Sequence, residues 1–404
     1  MSKAKQQRAD LLRQQVIDLN GPGTVLADFQ SLLEFIGPEG LRSTSKYHLL
    51  PLERLRELDE RMRKPLRPRL ERPQQRSFPH LNGLYLLLRA TQLGVPKGEG
   101  KKSGMLVLNP PMHDQWQTLN PTERYFNLLE AWLRLGRAEM LGERGGGWYS
   151  MMLGRAMEKW QVIGDRELDL CRDPNRYRYF IHNPLSACTL ALFDLFGLVN
   201  LQRGEPGEGE NWRLQTVART AFGEALLETI LARGVGELLS DEEDRPDFGA
   251  WQPHLQEFFP EWRNNLKFPE PEFRDGVYYF KVKLGSPWRR IAIAADCDLE
   301  ELAGWIITAF EFDGDHLYEF SFPDRDGLTV SVAHPYVDDA DMHTDGYSIG
   351  YLPLAEGQSM KFTYDYGANW CFDVKLEKVE PPNPRMTKPR IVESHGKAPD
   401  EYED

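Results

Sequence analysis

FTYDYGANWCFDVKLEKV, residues 362–379, alternates on both sides of a Gly-Ala-Asn break. Phe362, Tyr364 and Tyr366 lead into the break, and Trp370, Phe372, Val374 and Leu376 lead out of it. Period-two spacing of aromatic and branched residues marks a half-buried strand, so the stretch reads as a β-hairpin with one apolar face. Two acids, Asp365 and Asp373, fall on the other face. Paired carboxylates can hold a divalent ion or share proton transfer. An Asp beside a tight turn has a simpler use, accepting backbone N–H groups. The spacing favours the turn, with Gly367 supplying a positive φ and Trp370 placed in the core.

Outward from the hairpin, residues 275–380 read as one α+β unit. DGVYYFKVKL (275–284) alternates as a strand, and GSPWRRIAIAAD (285–296) turns into a second. Asp298 with Glu301 three residues on is a capping box for a helix burying Leu299, Leu302, Trp305, Ile306 and Phe310. DGDHLYEFSF (313–322) and LTVSV (328–332) supply further strands. The expected fold is one helix laid on a curved, mostly antiparallel sheet.

Three motifs in this unit carry a family resemblance: Trp288-Arg289-Arg290-Ile291, His316-Leu317-Tyr318-x-Phe320, and Tyr364-Asp365-Tyr366-Gly367-x-x-Trp370. The region resembles the plasmid pRiA4b ORF-3-like family, also labelled an insertion-element passenger TnpR-type protein. The resemblance implies a β-grasp-like α+β fold and an association with plasmids, mobile elements or defence; it brings no established activity. A resolvase would need a nucleophilic Ser backed by several Arg on an α/β domain, and residues 275–380 lack that set. The motif residues Trp288, Arg289, His316, Tyr318, Asp365, Gly367 and Trp370 are the candidate binding residues, with Trp288, His316 and Tyr318 lining a groove beside Asp365.

The N-terminal half is mainly helical. LNGLYLLLRATQLGV (81–95) and LSACTLALFDLFGLV (185–199) are apolar helices of equal length. Each is followed by a Gly-rich excursion, a strand and another helix. Over residues 78–233 this order resembles paired winged-helix-type modules, a family that binds DNA or proteins. The first excursion is basic (Lys97, Lys101, Lys102) and the second acidic (Glu205, Glu208, Glu210). Nine Arg/Lys stand against four acids between Arg54 and Arg76. This run reads as a solvated linker or, in the sharper reading, as a phosphate-contacting arm through Arg61, Arg63, Lys64, Arg67 and Arg69.

The expected map is therefore a helical region with a basic run (1–77), two winged-helix-like modules (78–233), an acidic and aromatic connector (234–274), the α+β domain (275–380) and a Pro-rich tail with little secondary structure (381–404). Net charge is −13 overall but +5 over residues 1–76, zero over 77–240 and −18 over 241–404. An acidic C-terminal half repels phosphate, so DNA, if bound, meets the N-terminal half. Four scattered cysteines and nine scattered histidines suggest no disulfide framework, metal or cofactor. The polar opening MSKAKQQRADLLRQQ is not a secretory signal, and no apolar run is long enough for a bilayer, so a cytoplasmic protein without membrane contact is expected. The leading reading is a non-enzymatic interaction protein with a protein partner. The alternatives are a DNA-binding regulator and a metal-dependent hydrolase or nuclease using Asp365.

Overall fold

The computed structural model describes residues 3–402 apart from 45–46, 98–103, 144–151, 233–247, 325–327, 339, 341 and 387. The chain divides into two units, Met1–Phe268 and Pro269–Asp404. The described residues contain no helix long and apolar enough to cross a membrane.

In the first unit a helix α1 (Lys3–Gln14) precedes the order α2 (Val25–Ile36), β1 (Leu41–Ser43), α3 (Leu55–Arg61), α4 (Pro79–Ala90), β2 (Gly94–Lys97) and β3 (Gly104–Leu108). After α5 (Pro110–Thr118) and α6 (Pro121–Glu130) the same order returns as α7 (Met152–Ile163), β4 (Leu168–Asp169), α8 (Pro174–Ile181), α9 (Pro184–Leu195), β5 (Val199–Gly204) and β6 (Arg213–Arg219), closed by α10 (Ala221–Ala232). The two three-stranded sheets run β1-β3-β2 and β4-β6-β5, so the strands correspond position by position. Residue 77 is therefore no boundary. Leu41 pairs with Leu106, which makes residues 25–77 part of the first module. A three-residue strand carries too little alternation to be read from sequence.

Asn-Pro and Asp-Pro pairs start several of these helices. Asn183 accepts the N–H of Leu185 and Asp173 those of Asn175 and Arg176, with proline in the first turn where its missing donor does no harm. α4 is buried at every position from Pro79 to Ala90, and α9 from Leu185 to Leu195. Helices this rich in apolar residues belong in the centre of a core, and their polar members, among them His80, Asn82, Arg89 and Asp194, are buried with them. They cross where Gly83 lies against Leu192: a Cβ on Gly83 would stand 2.8 Å from Leu192 Cγ.

Residues 248–268, expected to be connector, are built into the first unit. Trp262 stacks on Phe126 at 4.4 Å. Glu123 accepts the N–H groups of Arg263 (3.1 Å) and Asn264 (2.8 Å), and Asn127 accepts that of Leu266 (2.7 Å). The remainder of the acidic stretch, 233–247, lies outside the described residues.

The second unit is a seven-stranded sheet in the order β10-β9-β11-β12-β7-β8-β13, with every pairing antiparallel. Its strands are β7 (Val277–Lys283), β8 (Trp288–Ala294), β9 (Tyr318–Pro323), β10 (Thr329–Ala333), β11 (Ser359–Tyr364), β12 (Trp370–Glu380) and β13 (Arg390–His395). The helix Leu299–Ala309 starts on the Asp298–Glu301 capping box and buries Leu299, Leu302 and Ile306 in one core with Phe280, Ile291 and Phe372. The tail is not frayed, contrary to its proline content: β13 pairs with β8, setting Ile391 opposite Ile291. Buried Arg289 secures it. Its guanidinium donates to the carbonyls of Ala309 (2.8 Å), His395 (3.1 Å) and Gly396 (3.2 Å).

Two glycines in helices give opposite expectations. Gly83→Val should lower stability by about 1–3 kcal/mol through overpacking against Leu192, whereas Gly304→Ala, with no atom within 4 Å of its Cβ, should raise it by up to about 1 kcal/mol. Urea denaturation of the full chain checks both signs. Arg289→Met should cost about 1.5–3 kcal/mol, because it strips charged donors from the buried Ala309 carbonyl and the part-buried bonds to His395 and Gly396; an unchanged midpoint in the same assay would refute the clamp.

Candidate functional site

The hairpin β11–β12 closes through a turn in which Asp365 and Asn369, not Gly367, take the left-handed conformation, with φ of +54° and +55°. The sequence assigns that conformation to the glycine; Asp and Asn tolerate it because a short polar side chain bonds locally. Asp365 Oδ1 accepts the Gly367 N–H at 2.8 Å, and the Asp365 N–H donates to Leu317 O at 3.0 Å. Beyond Tyr364 the apolar alternation stops, and Tyr366 is exposed. Asp373 sits in register with Lys361 and pairs with it at 3.2 Å on the open face, both side chains at least half exposed. Such a pair contributes little. The two acids do not converge.

Other groups do converge on Asp365. β9 begins beside β11 with Tyr318 opposite Tyr364, which brings the preceding Asp315-His316 to the hairpin tip. His316 Nε2 lies 3.4 Å from Asp315 Oδ1 and 3.8 Å from Asp365 Oδ2, and its ring meets Tyr364 edge-on at 5.7 Å. The tail then arrives from β13. Glu401 Oε2 accepts the Asp313 N–H at 2.6 Å, and the Tyr402 hydroxyl donates to Asp313 Oδ2 at 3.2 Å. The Tyr364 hydroxyl accepts the Gly314 N–H at 3.0 Å. Burial and then the Glu401 carboxylate push that hydroxyl's pKa up to about 12, so it stays protonated. Burial raises Tyr318 similarly, to about 12.

Of the other sequence candidates, Trp370 is half-buried, edge-on to Phe312 at 5.2 Å, and Tyr318 is buried. Trp288 occupies the same end of the sheet but four strands away, about 19 Å at ordinary strand spacing. There it stacks on His395 at 5.8 Å with Lys281 Nζ 4.0 Å from its ring. Trp288 and His316 therefore share no groove. Arg289 points into the core and binds chain carbonyls, so it is a clamp and not a ligand group. Glu401, Asp315 and Tyr402 escaped the sequence reading, since nothing in an acidic, proline-rich tail announces where it returns.

In the first unit the basic run is largely engaged. Arg61 bonds Glu57 (2.7 Å), Arg67 bonds Glu60 (2.9 Å) and Lys64 stands 3.5 Å from Asp194. The Arg63 backbone donates to Asp28 (2.7 Å), and Arg69 exchanges backbone bonds with Gly209 and Glu210. Lys97 is exposed, and Lys101 and Lys102 lie outside the described residues.

Residues 277–403 match the family model of the plasmid pRiA4b ORF-3-like protein. The C-terminal unit is a pRiA4b ORF-3-like domain. The match runs through β13 and Glu401, so the tail belongs to the domain. A crystal structure of a protein of unknown function from Methanosarcina mazei Go1 is also similar, at 22% identity over 30% of this chain and 70% of that one, with a TM-score of 0.28. No curated protein matches.

The turn geometry sets an order of stabilities for the pRiA4b ORF-3-like domain. Asp365→Asn keeps the acceptor and the tolerance of positive φ, so it should cost less than about 0.5 kcal/mol. Asp365→Ala loses both, at about 1–2 kcal/mol. Gly367→Ala should cost less than Asp365→Ala, because its φ is ordinary and its Cβ would meet only Asp365 Oδ1, at 3.1 Å. Phe372→Ala, from a fully buried site, should exceed Trp370→Ala and cost about 3–5 kcal/mol. Thermal melting of the five proteins tests the ranking.

Proposed function

We propose that this chain is a non-enzymatic interaction protein, in which two winged-helix-type modules form a scaffold and the pRiA4b ORF-3-like domain presents a partner surface. The repeated helix, strand, helix, helix, strand, strand order with matching sheets supports the winged-helix reading. One observation carries the choice of protein over DNA. In a DNA-binding helix-turn-helix module the recognition helix lies in the major groove. Its counterparts here, α4 and α9, are buried along their lengths against each other. Their reading faces are used up. The carboxylates already bonded to the basic run work in the same direction, since phosphate would have to displace them.

The partner surface is the end of the sheet described above. Leu317, Tyr336 and Tyr366 are exposed there, at 38%, 81% and 48%. Asp365 ties the first to the third, and His334 meets both Tyr318 and Tyr336 edge-on. Exposed tyrosines around a rigid strand end are the kind of group that anchors protein interfaces. Residues 269–404 hold 13 basic and 27 acidic residues, which favours a basic partner segment.

Two measurements test this. Fluorescence anisotropy with duplex DNA at physiological salt should show no saturable binding at micromolar protein. Salt-sensitive binding that disappears when Arg61, Arg63, Lys64, Arg67 and Arg69 become Gln would establish the regulator reading instead. A photo-crosslinking residue at Tyr336 or Tyr366 should capture one discrete protein in the native host, while one at Ser359, at the far end of β11, should not. Equal capture from all three positions would sink the proposed surface.

A further inference from the structure

Four carboxylates crowd the end of the pRiA4b ORF-3-like domain: Asp313, Asp315, Asp365 and Glu401. Among the described residues, their ion pairs run to His316 alone. Such a group repels itself unless a cation joins it. The donor atoms of Asp315, His316 and Glu401 all lie within 4.8 Å of one another. The His316–Asp315 separation of 3.4 Å is close to the ligand–ligand edge of a tetrahedral site with bonds of about 2.0–2.1 Å. Small side-chain movements would close the rest.

The coordination geometry is also left open by the hydrogen bonds. Asp365 uses Oδ1 for the Gly367 N–H and keeps Oδ2 toward His316, at 3.8 Å. Glu401, itself part-buried, uses Oε2 for the Asp313 N–H and acts on the Tyr364 hydroxyl, while its solvent-shielded Oε1 has no close hydrogen bond. A buried carboxylate oxygen without a donor is costly, and a bound cation is one of the few groups that satisfies it.

We infer that Asp315, His316 and Glu401 form a binding site for a divalent transition-metal ion of the zinc or manganese class. One imidazole with carboxylates suits those ions better than calcium, which takes oxygen donors. The role is structural. The ion joins the tail at Glu401 to the loop before β9, over a sequence separation that makes the closure otherwise dependent on a few hydrogen bonds. Because imidazole and carboxylates must be deprotonated to bind, affinity falls on acidification. This inference is independent of the partner proposed above.

The test uses the full chain in a Cys171→Ser/Cys371→Ser background, so that the exposed thiols take no zinc. After chelator treatment, calorimetric titration with zinc chloride should give one saturable equivalent and a raised melting temperature. His316→Ala and Glu401→Gln should each weaken binding by more than about tenfold and abolish the thermal shift. Asp373→Asn, outside the site, should leave both intact. Without metal, Glu401→Gln should melt no lower than its parent, since it relieves repulsion; this shows the variant is folded. Absence of saturable zinc binding in the parent, or undiminished binding in both ligand variants, overturns the site.

Discussion

The contact between α4 and α9 is the constraint on which the first unit depends. Two helices whose surfaces are largely apolar are stable in water only if something covers them on every side. Each therefore takes the other as its cover, and the glycine at position 83 lets them approach. The described strands and outer helices of the unit are arranged around that pair. Gly23 and Gly197 show the same demand for closeness at the end of α9, where a Cβ on Gly23 would fall 2.0 Å from Leu195 O. A pair of helices buried in this way leaves contacts with other molecules to the outer surface of the unit.

The C-terminal domain is organised around chain return. Its sheet is covered on one face by a single helix, and Arg289 links the end of that helix to the backbone of the tail. A guanidinium is suited to this, having a fixed fork of donors and a charge that favours a helix C-terminus. Once β13 is fixed against β8, the tail crosses the end of the sheet and reaches the loop before β9. Trp288 and His316, far apart across the strands, are thus neighbours of the same tail at its two ends.

Much of this was legible. Alternation in 277–283, 362–364 and 370–376 gave the strands, and the Asp298–Glu301 and Asn120–Glu123 boxes located helix starts, because these signals are local. What escaped was set by distant partners. The conformation of Gly367 depends on where Leu317 holds Asp365. β1 and β13 exist through backbone pairing that leaves little trace in side-chain type; β13 is exposed at every position. The basic run looked available because composition does not reveal that Glu57, Glu60 and Asp194 stand opposite it. Asp365 was singled out for its neighbour Asp373, eight residues away, whereas its actual company is His316 and the Leu317 carbonyl.

β13 has one further consequence. It is an edge strand, paired on one side with β8 and carrying Ile391 and Val392 at 37% and 40% exposure. Its pairing register shifts between Ile391 and Glu393, and a positive-φ glycine at 396 follows its last residue. Bulges and breaks at an edge discourage a second chain from adding on. β8, behind it, is a seven-residue strand with buried Ile291 and Ile293, which makes it a better template for self-association. The tail is thus also a guard: by occupying that edge with a short, irregular strand, it keeps copies of the domain from stacking into continuous sheets.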